Sequence, residues 1–367
     1  MTNGPEKAKI VLTAVTPEEL LAKLPALTIE EARRVVAQVH REEAVSTPHA
    51  GIRRRSRELV VASGIVPSLD TVSEAKSTLD PFVKYALRTS DAHVIETVRI
   101  PLEIEGRFSV CVSSQVGCAL ACAFCATGRM GLSRNLETWE IVEQVRIVRR
   151  GLGAGHANGR PRVHGVVFQG MGEPMANLDR VLAAIAVMTE PSALAIDARA
   201  ITVCTSGLPT GIVRLAREAP NVRLGLSIGS ARTEARRRLM PIDRAHGLTE
   251  EVFEAACEHA EVTKLSPMWA VTLLAGVNDS REDAEALAAL VARFKERTGK
   301  HPRLSVIPYN AIDEEKSDPF ARSSVEAEAH FRDLLRDRGV FTHKRYSGGA
   351  DVSAACGQLA ARTPATA

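Results

Sequence analysis

Three cysteines stand close together in the chain, as Cys118-Ala-Leu-Ala-Cys122-Ala-Phe-Cys125. Three thiolates on one short loop can each take one iron of a cubane cluster, leaving the fourth iron open to a small molecule. A zinc site would want a fourth Cys or His nearby at finger spacing, and none follows. Cys111, Cys204, Cys257 and Cys356 bring the cysteine count to seven. An odd number without a secretory leader speaks against a structural disulfide framework. A second constellation, Gly170-Met171-Gly172-Glu173-Pro174, directly follows the apolar run VHGVVFQ. Glycines after a strand let backbone groups approach a ligand closely, and Glu173 can accept from an amino group. Asn310 ends the run RLSVIPYN, where Asn after a Pro-containing strand end is also ordinary turn chemistry.

These motifs need elements to hold them. VHGVVF (163–168), AITVCT (200–205), VRLGLS (222–227), PMWAVTLL (267–274), RLSVIP (303–308) and FTHKRY (341–346) read as strands. Between them lie amphipathic helical stretches such as LDRVLAAIAVM and REDAEALAALVARFKERTG. Strand and helix in alternation imply parallel strands with right-handed crossovers. No Gly-x-Gly-x-x-Gly opens a helix, and the number of units suits a full or partial β/α barrel better than a Rossmann sheet. In barrels the chemistry sits on loops at the C-terminal ends of the strands, where these motifs fall. Residues 1–88 read as a small helical accessory domain, with capping boxes at Thr16/Glu19 and Thr28/Glu31. Residues 89–346 form the α/β barrel, and 347–367 a C-terminal segment ending in the tail RTPATA, expected to be disordered.

The chain has 367 residues, 45% of them hydrophobic and 25% charged, which is ordinary globular composition. No long uncharged apolar run is present to span a membrane, and the N-terminus is a poor signal peptide, so a cytoplasmic location is expected. Net charge is +3, which says little about partners. Arginines do cluster, at Arg53–Arg55 with Arg57, and at Arg232 with Arg236–Arg238. Such runs neutralise phosphates or simply coat a solvated helix face. Aromatic content of 4% argues against a base-stacking sheet.

The wider motifs resemble one family. Cys-Val-Ser-Ser-Gln-Val-Gly-Cys-Ala-Leu (111–120), Cys-Ala-Thr-Gly (125–128), Gly131 and Arg134-Asn135-Leu136 are similar to the RlmN/Cfr-type radical SAM RNA methyltransferases. So are Gly170–Pro174, Ile307-Pro308-Tyr309-Asn310 and Ala354-Ala355-Cys356-Gly357-Gln358-Leu359, and the resemblance runs from about Glu96 to Leu359. It implies a partial (β/α) barrel of radical SAM type. It implies a [4Fe–4S] cluster on Cys118, Cys122 and Cys125, whose open iron chelates S-adenosylmethionine (SAM), and two SAM molecules per turnover. Gly172, Glu173, Cys204, Ser227, Ile228, Gly229 and Asn310 fall where the family contacts SAM.

The resemblance further implies methylation of an adenosine ring carbon in RNA, at carbon 2 or carbon 8, in 23S ribosomal RNA with transfer RNA as a further substrate. Cys356 matches the cysteine that carries the methyl group, and Cys111 the one that releases product through a transient disulfide. Glu96 matches the family's proton acceptor, although alone it reads as a surface strand residue. A monomer served by an external electron donor such as flavodoxin is expected. The departures are Cys204 for a usual Ser, Ser227-Ile228-Gly229 for Ser-Leu-His, and Gly348 for an Arg before the final Asp-x-x-Ala-Ala-Cys. The N-terminal domain has little of the family pattern. Two other classes remain open: a different radical SAM enzyme such as a sulfur inserter, which would normally need more cysteines, and a non-catalytic metal–sulfur RNA-binding protein.

Overall fold

The computed structural model describes residues 8–42, 50–153, 161–312, 318–344 and 348–360. The tail RTPATA, Ser347, and Arg345 with Tyr346 of the predicted last strand lie outside the described residues. The chain opens with β1 (Ile10–Val11), α1 (Pro17–Lys23), α2 (Ile29–Glu42), α3 (Arg54–Ser63) and β2 (Gly64–Ile65), which pairs in parallel with β1. Both predicted capping boxes form. Thr16 and Glu19 exchange bonds at the start of α1, as do Thr28 and Glu31 at the start of α2.

The helical reading of residues 1–88 differs from the structure after Ser63. Two strands follow, β3 (Asp70–Lys76) and β4 (Val83–Arg88), and they continue as an antiparallel meander into β5 (Val94–Pro101) and β6 (Arg107–Cys111). β3 has no buried residue along its length. An exposed edge strand lacks the period-two apolar pattern by which a strand is recognised.

The hairpin β7 (Gln115–Gly117) and β8 (Leu132–Asn135) encloses the cysteine loop and the short helix α4 (Ala126–Arg129). Alternation then sets in: α5 (Thr138–Gly151), β9 (Arg162–Phe168), α6 (Leu178–Thr189), β10 (Ile201–Thr205), α7 (Pro209–Glu218) and β11 (Arg223–Ser227). It continues with α8 (Thr233–Leu239), α9 (Phe253–Thr263), β12 (Met268–Leu273), α10 (Arg281–Thr298), β13 (Arg303–Pro308), α11 (Val325–Asp337) and β14 (Thr342–Lys344). The predicted strands at 163–168, 200–205, 222–227, 267–274 and 303–308 all form to within a residue.

One ten-stranded sheet results, in the order β14-β13-β12-β11-β10-β9-β6-β5-β4-β3. Every neighbouring pair from β6 to β14 is parallel. β14 and β3 stand at opposite ends of this order, which is the partial barrel expected. Helices cover the parallel strands, so β9–β13 read as near-continuous apolar runs. Trp269 of β12 meets Phe294 of α10 with ring centroids 5.0 Å apart. Local signals end the helices sharply. α10 starts at a Ser280/Asp283 capping box and stops at Gly299 in the left-handed region. The N-terminal helices are tied to the sheet layer through α5, where Arg146 pairs with Glu143 and donates to the carbonyl of Val39 at 3.0 Å. Among the described residues, no helix is long and apolar enough to cross a membrane.

Candidate active site

One pocket opens where the parallel strands end. It is lined by Cys118, Cys122, Cys125, Gly172, Glu173, Cys204, Ser227, Gly229 and Cys356. Residues from sequence positions far apart thus meet because β9, β10 and β11 run in the same direction and deliver their last residues to one rim. Four further predicted site residues, Glu96, Cys111, Ile228 and Asn310, are placed around this pocket rather than in its lining.

The cysteine loop is fastened on three sides. Cys118 donates its N–H to Gly131 at 2.9 Å, Ala123 to Leu239 at the end of α8 at 2.9 Å, and Ala126 to Gly357 of the C-terminal segment at 2.8 Å. All seven cysteines are free thiols. Burial pushes the Cys118 thiol up to about 11 and the Cys122 thiol up to about 12, and raises Cys125 as well. Three thiolates largely withdrawn from water need positive charge beside them, which bound metal would supply. The three thiols line one pocket.

Glu173 is 3% exposed. Its Oε1 accepts from the N–H of Met175 at 3.1 Å and its Oε2 from the N–H of Ser206 at 2.9 Å. Burial raises its carboxyl pKa, and these N–H donors oppose the rise. A carboxylate has about four acceptor positions, so capacity remains for an ammonium group in the pocket. The Glu173 N–H donates to Gln115 Oε1 at 2.8 Å, which fixes the loop to β7. Gly172 has φ +98°, and a Cβ there would lie 2.5 Å from Gln115 Cβ. Gly172→Ala is therefore expected to destabilise the fold by about 1–3 kcal/mol, read as a shifted urea midpoint. An unshifted midpoint would mean that the loop relaxes freely.

The departures from the family pattern have local explanations. Cys204 faces Gly225 across the β10–β11 register, and a Cβ on Gly225 would sit 2.5 Å from Cys204 Sγ. The bulkier sulfur fits because that neighbour has no side chain. Gly229 has φ +65°, and Met240 occupies the space a side chain would take, its Sδ 2.5 Å from the Cβ position. At Gly348 a Cβ would meet the ring of Phe82 at 2.4 Å. A side chain at 229 would require Met240 to shift, and one at 348 would require Phe82 and Asp80 to shift.

Cys356 lines a second, smaller pocket together with Cys111, Phe82, Val98, Ile100 and Leu359. It is the only cysteine among the described residues that faces both cavities. Cys111 ends β6, and its carbonyl accepts from the Thr97 hydroxyl at 2.6 Å. Asn310 Nδ2 reaches the carbonyl of Cys356 at 3.5 Å, so it braces the C-terminal segment. Ile228 is fully buried behind the turn, its N–H donating to Ala270 at 2.8 Å.

Glu96 is 1% exposed, not on the surface. Its Oε1 lies 3.1 Å from Lys84 Nζ, and its Oε2 accepts from the N–H of Ala360 at 2.8 Å. Lys84 also donates to the carbonyl of Ser353 at 3.4 Å. The pair therefore grips the C-terminal segment on both sides of Cys356. Sequence reading missed Lys84, Ser206, Tyr309 and Met240. Ser206 and Tyr309 carried a signal, since each directly follows a barrel strand. Nor are the arginine runs free phosphate ligands throughout. Arg53 pairs with Glu31 at 2.7 Å and holds that carboxyl well below the usual range, and Arg54 pairs with Glu58 at 2.7 Å. Arg236 is fully buried, whereas Arg55, Arg232, Arg237 and Arg238 are exposed.

Residues 112–291 match the radical SAM superfamily. A probable RNA methyltransferase of Sorangium cellulosum is 56% identical over 94% of this chain and 90% of its own length. A dual-specificity RNA methyltransferase RlmN of Syntrophobacter fumaroxidans is 40% identical, over 80% of this chain and 81% of that one. Among solved structures, a radical SAM methyltransferase from Sphaerobacter thermophilus superposes with a TM-score of 0.83 at 34% identity, covering 96% of this chain and all of that one.

Proposed function

Because this chain belongs to the RlmN/Cfr-type radical SAM RNA methyltransferases, we propose that it methylates an adenosine ring carbon in RNA through a methyl group carried on Cys356. The observation that carries this reading is the placement of Cys356 on both cavities, with the cluster cysteines in one and Cys111 in the other. Cys118, Cys122 and Cys125 would hold the [4Fe–4S] cluster, and Glu173 would receive the SAM amino group beside the backbone of Gly172, Ser227 and Gly229. Bound there, cluster and SAM together supply a methyl group and a hydrogen-abstracting radical, two SAM molecules being used per turnover.

The protein's own groups do the rest. An adenine ring carbon is too weak a nucleophile to take a methyl group from SAM directly, so the sulfur of Cys356 takes it first. Joining the carrier carbon to the ring leaves one odd electron, which the cluster would take up, and the proton on that ring carbon goes to Glu96. Cys111, as thiolate, attacks the sulfur of Cys356. A disulfide forms, the carbon–sulfur bond breaks, and its electron pair stays with the carbon, which takes up a proton to become the methyl group. The target nucleotide must leave its stack to reach the pocket. We assign 23S ribosomal RNA as the substrate class, with transfer RNA second, a monomeric cytoplasmic enzyme, and a flavodoxin-like electron donor.

The test is nucleoside mass analysis of ribosomal and transfer RNA incubated anaerobically with protein, SAM and a reductant. A single added methyl on adenosine is expected, and chromatography against standards separates carbon 2 from carbon 8. A methyl group on a ring nitrogen or a ribose would overturn the carrier mechanism. A sulfur-containing nucleoside would point to the sulfur-inserting class.

A further inference from the structure

Arg236 belongs by sequence to a basic run, yet its side chain is 0% exposed. A fully buried guanidinium cannot meet an RNA phosphate, and burying it is costly unless its charge and donors are satisfied. They are. Nε donates to Asp243 Oδ1 at 2.8 Å. Nη1 donates to the carbonyl of Ser227 at 2.9 Å and to that of Ile228. Nη2 donates to the carbonyl of Ser206 at 2.6 Å. Ser227 is the last residue of β11, and Ile228 and Ser206 open the turns that follow β11 and β10, where the strands meet the pocket. Asp243 is anchored in its own right, its Oδ1 accepting from the N–H of Leu248 at 2.8 Å.

Ser206 gives this clamp its consequence. Its N–H donates to Glu173 at 2.9 Å, and its hydroxyl lies 3.8 Å from Cys122 Sγ, within hydrogen-bonding reach of sulfur. One residue thus touches the carboxylate of the SAM half of the pocket and a cysteine of the cluster half, and Arg236 holds its carbonyl.

We propose that Arg236, paired with Asp243, is a positioning residue that locks the turns after β10 and β11 so that Ser206 serves Glu173 and Cys122 together. This rests on the reading of the pocket as a SAM and cluster site. The planar fork of arginine bonds two turns and a carboxylate at fixed angles, which a single ammonium cannot reproduce.

The test uses full-length protein with the cluster reconstituted anaerobically, and compares the parent with Arg236→Lys and Ser206→Ala. Equilibrium dialysis against SAM and a redox titration followed by electron paramagnetic resonance are the readouts. Arg236→Lys is expected to keep its cluster and a cooperative melt, and to bind SAM about tenfold more weakly or worse. Ser206→Ala is expected to keep its cluster with the midpoint potential moved to more negative values, because a hydrogen bond to a cluster sulfur is lost. If Arg236→Lys does not fold, the double variant Arg236→Met/Asp243→Leu removes both buried charges and should show the same loss of SAM binding. A folded variant of either kind that binds SAM as the parent does overturns the positioning role alone. Parent protein that carries the cluster and binds no SAM overturns the pocket reading and the positioning role with it.

Discussion

Cys111→Ala protein, incubated with RNA, SAM and a reductant, is expected to accumulate as a covalent protein–RNA adduct, while Cys356→Ala forms neither adduct nor methylated RNA. The two thiols share one small pocket, and the proposed mechanism puts them at different steps. Without Cys111 the carrier can still load and join the base, but no thiolate is present to break the carbon–sulfur bond. Protein should then migrate slowly on a denaturing gel, and nuclease should return it to the free position. Turnover should fall to at most one event per chain. Cys356→Ala has no sulfur to methylate. Its cluster should persist, because Cys356 is not one of the three thiols of the cysteine loop. Parent-like turnover by Cys111→Ala would remove Cys111 from the mechanism. Methylated RNA from Cys356→Ala would remove the carrier itself.

Cys122→Ala is expected to take the protein from about four irons and four sulfides per chain to essentially none, and to abolish reductive cleavage of SAM. The chain should stay folded. Cys122 packs in a small cluster with Ala126, Leu239 and Met240, and replacing the thiol by hydrogen removes little volume there. Cys257→Ala is the control. Cys257 is fully buried, but it lies in α9 among apolar neighbours and lines neither cavity. Its loss should leave iron content unchanged. Zinc taken up in place of iron under anaerobic reconstitution, or iron retained by Cys122→Ala, would count against the cluster assignment.

RNA contact is a smaller effect and is constrained by the arginine geometry. Arg55 and Arg238 are exposed, whereas Arg232 lies 3.6 Å from Asp283 and Arg237 3.7 Å from Asp243; binding through the exposed arginines should weaken as salt rises. Arg236 should contribute nothing to that slope.

The sequence by itself determined the features that are local in the chain. The spacing of Cys118, Cys122 and Cys125 confines three thiols to one loop. The glycines around Glu173 mark a close backbone approach at a strand end. The apolar runs at 163–168 and 303–308 return as β9 and β13 because a strand buried on both faces is written continuously in its own residues. Tertiary structure decided what depends on partners remote in sequence. Glu96 is buried because Lys84, one strand over in the β4–β5 register, supplies its counter-charge, and Ala360 closes over it. β3 is a strand only because β4 offers its edge, its own polar residues carrying no pattern. Arg236 sits inside rather than on the surface because Asp243 and backbone carbonyls at the ends of two strands give each nitrogen of its fork a partner. A buried charge is tolerated only where the folded chain brings all its partners at once, and no spacing within a run of arginines encodes that.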